Sequence, residues 1–238
     1  MKARNVILLI ILILVADQAL KVWVKTSMPL SYHWDESHQP ITPYDRGIRP
    51  FGQNAEWAQI YFVENEGMAW GWKFGGELGK MALTLFRMAA VLFGIWYLRD
   101  ILRKRHHRGF IICVGLIFAG ALGNLIDSMF YGLIFEESTY TSVARIFPEK
   151  GYAGFLHGKV VDMFYFPIIR ATYPTWFPFV GGEDFEFFSP VFNIADAAIS
   201  IGVIALLLFQ KRFLQTDKEN SKQAIETSTR VNDDVQVS

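Results

Sequence analysis

A single cysteine, Cys113, among 238 residues leaves no internal disulfide and no paired-cysteine metal or redox site. It sits in an apolar run and reads as a small buried hydrophobe rather than a reactive thiol. The five histidines never take the His-Glu-x-x-His spacing of a zinc peptidase. No Gly-x-Ser-x-Gly elbow occurs, and nothing in the spacing of Ser128 and Lys159 supports a serine–lysine pair. Charge is also scarce. Charged residues make up 19% of the chain, the formal net charge is zero, and no basic stripe offers a nucleic-acid footprint.

What is abundant is apolar sequence, 52% of the chain, gathered into blocks. Four blocks approach the roughly 20 residues that a helix needs to cross a bilayer. They run at about 6–24, 81–98, 109–126 and 190–209. The first could instead be a cleaved signal peptide, with Lys2 and Arg4 as its basic end, but apolar character resumes beyond Asp17 through Val24. Arg99, Arg103, Lys104, Arg105 and Arg108 cluster between the second and third blocks, so that loop is expected on the cytoplasmic side. Lys2 and Arg4 put the N-terminus there, and Lys211 and Arg212 the C-terminus. The expected fold class is an all-α membrane protein with four transmembrane helices, N-in and C-in. The membrane domain spans 1–212, and a polar, disordered cytoplasmic tail covers 213–238.

Two extracytoplasmic segments remain, about 25–80 and 128–189, both rich in aromatics. The alternating run Ala58–Val63 before Asn65-Glu66-Gly67, and the β-branched pair Val160-Val161, predict a small β-containing subdomain with an outer loop or lid.

Ionisable groups inside a bilayer are costly, so each calls for a reason. Counting from the outer helix ends places Asp17, Arg87, Asn124, Asp127, Asn193 and Asp196 at a similar depth, within roughly 10 Å of the outer boundary. Asn124 and Asp127 are three apart and share a helix face, and Asn193 and Asp196 repeat that spacing. Small residues around them (Gly115, Gly120, Ala121 and Gly123; Ala195, Ala197, Ala198, Ser200 and Gly202) let the two helices approach closely. Polar glue between helices is the competing reading for each residue. Arg87 reads as a cation that snorkels outward or neutralises a neighbouring acid, with no chemistry assigned.

Five segments, in order, resemble the bacterial lipoprotein signal peptidase (signal peptidase II) family. Asp17-Gln-Ala-Leu-Lys21 looks like its Asp-Gln-x-x-Lys box. Asn65-Glu-Gly-Met-Ala-Trp-Gly71 is similar to its Asn-x-Gly-x-Ala-Phe-Gly box, with Trp70 for Phe. Gly123-Asn-Leu-Ile-Asp127 matches Gly-Asn-x-x-Asp-Arg except that Ser128 stands for Arg. Val160-Val-Asp-Met-Phe164 resembles Val-Val-Asp-Phe with Met163 inserted, and Phe192-Asn-Ile-Ala-Asp196 matches Phe-Asn-x-Ala-Asp in full.

The resemblance implies an aspartic endopeptidase with Asp162 and Asp196 as a catalytic dyad, one ionised and one protonated. Asn65, Gly71, Asn124, Asp127 and Asn193 would bind and orient substrate. Asp17 and Lys21 would give structural support, and neither metal nor cofactor is implied. The implied substrate is a prolipoprotein with a diacylglyceryl cysteine, cleaved just before that cysteine. The implied setting is a monomer among phospholipids of the bacterial inner membrane, its site facing the periplasm. Ser128 puts headgroup recognition in question, and Lys159 or Arg170 are candidate replacement cations. The intervals Tyr131–Gly158 and part of Ser31–Gly52 look like insertions. The rival readings are a proton- or ion-coupled transporter subunit, with the acids as relays, and a non-catalytic membrane chaperone or anchor.

Overall fold

The computed structural model describes residues 3–31, 47–52, 57–65, 76–167, 169–178, 180–187 and 190–213. Among them are four helices long and apolar enough to cross a membrane. The first, α1, runs Ala3–Ser27; α2 runs Gly76–Arg103; α3 runs Arg108–Ile126. The fourth, α4, runs Ile194–Phe213. Ile7, Leu8, Ile11 and Leu12 on α1, Phe86, Leu92 and Trp96 on α2, and Ile204, Leu207 and Leu208 on α4 are all exposed. Such outward apolar faces suit helices whose backbone bonds are satisfied internally and whose surroundings are lipid. His107 caps α3, its Nδ1 accepting from Gly109 N at 3.1 Å.

Several helix ends differ from the sequence expectation: α2, expected over about 81–98, runs Gly76–Arg103 and takes in Arg99 and Arg103 of the basic cluster. The third apolar block suggested an end near Ile126, but the helix continues through a π-helical turn, Asp127–Tyr131, and a last α turn, Gly132–Ile134. The longer turn lets helical chain carry on past the polar run, and such turns often mark functional sites. The fourth block begins near 190, yet α4 starts at Ile194, because Val191–Phe192 is drawn into a sheet. Of the expected tail, 213–238, Phe213 closes α4, and residues 214–238 lie outside the described residues.

The sheet sits at the end of the bundle where α1 and α3 finish and α4 begins. Strands β1 (Gln59–Asn65), β2 (Val160–Tyr165) and β5 (Val191–Phe192) form it in the order β1-β2-β5, all antiparallel. A separate hairpin pairs β3 (Ile169–Thr172) with β4 (Asp184–Phe187). Alternation on β2 sends Val161 and Met163 into an apolar cluster with Val24, Met28, Phe62, Tyr131 and Phe135. Asp162 therefore faces the other way. Met163, which looked like an insertion into the family box, keeps this alternation in step.

The interval Tyr131–Gly158 packs onto the C-terminal end of α1. Leu30 N donates to Thr139 O at 2.9 Å, and Phe135 bridges Ile146. Beneath it the Lys25 ammonium is fully buried. It pairs with Glu64, donates to Ser138 Oγ at 2.7 Å, and lies 5.0 to 5.7 Å from the ring centroids of Tyr152, Phe135 and Phe62. Burial pushes the Tyr152 hydroxyl up, so it stays neutral, and its oxygen accepts from Lys159 N at 2.7 Å.

Close helix contact depends on Gly120. A Cβ there would stand 2.2 Å from the Ala195 carbonyl oxygen, backbone that cannot move aside. Gly120→Ala is expected to force α3 and α4 apart and cost about 1–3 kcal/mol. Thermal unfolding in detergent checks this against Gly154→Ala, where a Cβ meets nothing within 4 Å and no shift is expected.

Candidate active site

The site begins where β5 hands over to α4. Phe192 pairs with Phe164 of β2, which pins the first residue after the strand, Asn193, beside Asp162. Asn193 then caps α4. Its Oδ1 accepts from Asp196 N at 2.9 Å, while Asp196 Oδ2 accepts from Asn193 N at 3.4 Å. This reciprocal arrangement is a capping box, and it explains the three-residue spacing of the pair. A further helix-end donor, the buried Ala195 N, is satisfied from another helix: Asp17 Oδ1 accepts from it at 2.9 Å.

The carboxylates of Asp162 and Asp196 are joined by the same two asparagines. Asn193 Nδ2 donates to Asp162 Oδ1 at 2.7 Å and lies 3.2 Å from Asn124 Oδ1. Asn124 Nδ2 donates to Asp196 Oδ1 at 2.7 Å. Each acid is thus held by an amide fixed through its own oxygen. From the sheet, Asn65 Nδ2 donates to Asp162 Oδ2 at 3.3 Å.

That last contact depends on an irregularity in β1. The register steps between Ile60, which pairs with Phe164, and Val63, which pairs with Asp162. One extra residue in β1 puts Asn65 on the same face as Asp162, diagonally across the ladder. Without it every later side chain of β1 would point to the opposite face.

Below the two acids lies a buried charge cluster. The Lys21 ammonium has no exposed surface. It stands 2.9 Å from Asp17, 2.8 Å from Asp127 and 2.9 Å from Asn124 Oδ1. Gln18 Nε2 donates to Asp127 Oδ1 at 2.8 Å, and Tyr131 OH donates to Gln18 Oε1 at 3.1 Å. Asp127 Oδ2 also accepts from Val161 N at 3.4 Å, joining the cluster to β2. β2 approaches closely because Gly158 precedes it: a Cβ there would meet the Asp127 carbonyl oxygen at 2.0 Å.

Burial pushes the Asp162 carboxyl up to about 7, and repulsion from Asp196 adds to the rise. The Asn65 bond, the Lys21 charge and the Asn193 bond oppose it. A carboxyl that still holds its proton near neutrality, beside a second carboxylate, is the electrostatic pattern of an acid–base pair.

The expected site residues fall into three groups. Asn65, Asn124, Asp162, Asn193 and Asp196 meet directly, and Asp17, Lys21 and Asp127 support them from below. Gly71 lies outside the described residues, as does the rest of its box beyond Asn65.

Residues 9–212 match the family model described as Signal peptidase (SPase) II. The chain belongs to the signal peptidase II family. A lipoprotein signal peptidase of Porphyromonas gingivalis is 46% identical over 231 residues, covering 96% of this chain and 92% of that protein. One of Amoebophilus asiaticus is 32% identical over 203 residues, covering 85% of this chain and 75% of the relative. A solved bacterial membrane enzyme, determined by the in meso method at 2.3 Å resolution, shares the fold. Its TM-score is 0.52 at 21% identity, over 92% of each chain. The protein is therefore a multi-pass membrane peptidase of the lipoprotein signal peptidase family, and its substrate is a prolipoprotein. The transporter alternative has no support.

Sequence reasoning missed several members of the network. Gln18 was read only as part of a motif, and Lys25, Glu64 and Tyr131 were not singled out. A signal existed for Lys25: Asp17, Lys21 and Lys25 recur every fourth residue and so share one face of α1. Arg87 reaches Ser128, its guanidinium donating to Ser128 Oγ at 2.9 Å. Of the candidate replacement cations, Lys159 instead pairs with Glu64 at 3.4 Å and Glu137 at 3.8 Å. The Arg170 side chain falls outside the described residues.

The cluster makes a prediction about stability. Lys21→Met strands two buried carboxylates and is expected to cost about 3–5 kcal/mol. Lys21→Met combined with Asp127→Asn removes one stranded charge and should recover part of that loss. Thermal melts of the three proteins in one detergent measure both effects.

Proposed function

We propose that Asp162 and Asp196 are the catalytic dyad of an aspartic endopeptidase that removes signal peptides from prolipoproteins carrying a diacylglyceryl cysteine. Cleavage falls on the peptide bond just before that cysteine. The observation that carries this reading is the pair of carboxyls held through Asn193 and Asn124, with Asp162 raised to about 7.

In this mechanism Asp162 carries the proton and Asp196 is ionised. Asp196 takes a proton from water as its oxygen attacks the scissile carbonyl carbon. Asp162 hydrogen-bonds the carbonyl oxygen, stabilising the charge that builds there, and a proton then passes to the leaving amine. Asn65, Gly71, Asn124, Asp127 and Asn193 bind and orient the substrate or the dyad, so that little motion is needed at the moment of attack. Asp17 and Lys21 hold the frame. No metal or cofactor takes part.

The basic loop between α2 and α3 favours an N-in, C-in orientation in the bacterial inner membrane, with the sheet and dyad on the periplasmic side. A diacylglyceryl cysteine anchored in the outer leaflet would meet the dyad at that depth. Phospholipid surrounds the helices, and the working unit is a monomer with residues 1–212 as the membrane domain.

Two measurements test the mechanism. Asp162→Asn and Asp196→Asn are each expected to lower cleavage of a diacylglyceryl-modified prolipoprotein by at least about 10³-fold while the protein still folds, on the scale of losing a catalytic acid or base. Cleavage by either purified variant at more than a few per cent of the unaltered rate removes the dyad. The second is the dependence of kcat/KM on pH. A general acid must be protonated, so activity should fall as pH rises through about 7. Asn65→Ala deletes a bond that favours the ionised form of Asp162, so the alkaline limb should move to higher pH. A limb that stays in place or moves down assigns the proton elsewhere.

A further inference from the structure

Arg87 stands on α2, the one membrane helix that contributes no member to the five motif boxes. It lies within an apolar span, where a cation needs a compensating environment. Two contacts one helical turn apart fix its direction. Thr84 Oγ1 reaches the Leu156 carbonyl oxygen at 3.2 Å, and Leu156 N in turn donates to Met129 O at 3.3 Å. Arg87 donates to Ser128 Oγ at 2.9 Å, and that hydroxyl donates to Asn124 O at 2.9 Å. Both contacts lead to the π-helical turn at the end of α3, although the Thr84 hydroxyl also bonds the Lys80 carbonyl of its own helix at 3.0 Å, so the Ser128 bond is the one that holds Arg87 in place.

The guanidinium is thereby brought against the acids of the site. Ser128 follows Asp127 in the chain and bonds the carbonyl of Asn124, the residue that donates to Asp196 Oδ1, so the fields of Asp196, Asp127 and Asp162 act on the guanidinium. Lys21, the other buried cation of the site, is bonded to Asp17 and Asp127 on α1 and α3. Arg87 is thus the cation that approaches this acid cluster from α2.

We propose that Arg87 is a positioning residue for the dyad, its guanidinium locked by Ser128 so that a fixed positive charge faces Asp196. The inference rests on the dyad reading above. Ser128 is the residue at which the Gly-Asn-x-x-Asp box departs from the family pattern, and it is the residue that Arg87 grips. A hydroxyl at 128 leaves space for a guanidinium arriving from α2. An arginine at 128 would claim that same space.

Charge relocation tests this with the full-length protein in detergent and a synthetic diacylglyceryl-modified prolipoprotein. Arg87→Gln, similar in size but neutral, should lower kcat at least tenfold with KM changed less than threefold. Arg87→Lys should retain more kcat than Arg87→Gln. Ser128→Arg alone should be impaired, because two guanidinium groups compete for one place. Arg87→Ala with Ser128→Arg should exceed Arg87→Ala by at least threefold in kcat, since the charge is restored from α3. Rates are referred to the folded fraction measured by thermal melting, so a folding defect does not mimic the effect. The proposal is overturned if Arg87→Gln keeps kcat within threefold, if the loss appears only in KM, or if the double variant gains nothing. Failure of the dyad reading looks different: the unaltered protein does not cleave, or Asp196→Asn still does.

Discussion

The Lys21 ammonium has no exposed surface, yet it lies within 2.9 Å of Asp17, Asp127 and Asn124. Moving such an ion out of water costs several kcal/mol, which only well-placed opposite charge and hydrogen bonds offset. Each of its partners does a second job. Asp17 accepts from the first turn of α4, Asp127 accepts from the β2 backbone, and Asn124 donates to Asp196. One buried cation therefore sets where α1, α3, α4 and β2 meet. A shift in any of them would leave a charge or a helix-end donor without its partner.

A second lysine repeats the device one turn further out. Lys25 ties α1 to Glu64 of β1 and Ser138 of the long outer segment, under three aromatic rings. Helix α1 thus carries two fastening points on one face. The inner one joins it to the bundle, and the outer one holds the sheet and its cover above the bundle. The proposed dyad lies between these layers, on β2 and the first turn of α4. That placement suits chemistry in which attack geometry matters more than motion. The outer segment is then part of the platform that holds β1 in register rather than a loose appendage.

The asparagines explain how two acids share so small a space. Asn193 serves as helix cap, as donor to Asp162 and as neighbour of Asn124. Asn124 supports Asp196 while its own oxygen is pinned by Lys21. Because each amide is oriented by a bond on its oxygen, its donor end cannot flip away from the carboxylate. Burial and mutual repulsion push the Asp162 carboxyl up, while the amides of Asn65 and Asn193 donate to its two oxygens, fixing its place and opposing that rise.

Much of this was legible in the linear chain. Helices announce themselves through apolar length, and Asp17/Lys21, Asn124/Asp127 and Asn193/Asp196 through spacing at one helical turn, because a helix repeats every 3.6 residues whatever it packs against. The alternation of β2 likewise follows from a period of two, and separates Asp162 from Val161 and Met163. What no local period encodes is the rotation of one element against another. The one-residue bulge that turns Asn65 towards Asp162, and the π-helical turn that carries α3 past Ser128, each depend on contacts distant in sequence. So does the reach of Arg87 across 41 positions to Ser128. The chain determined which side chains would be polar within an apolar setting, and tertiary packing decided which of them face one another. A buried charge accepts only the partner that the fold brings within bonding distance.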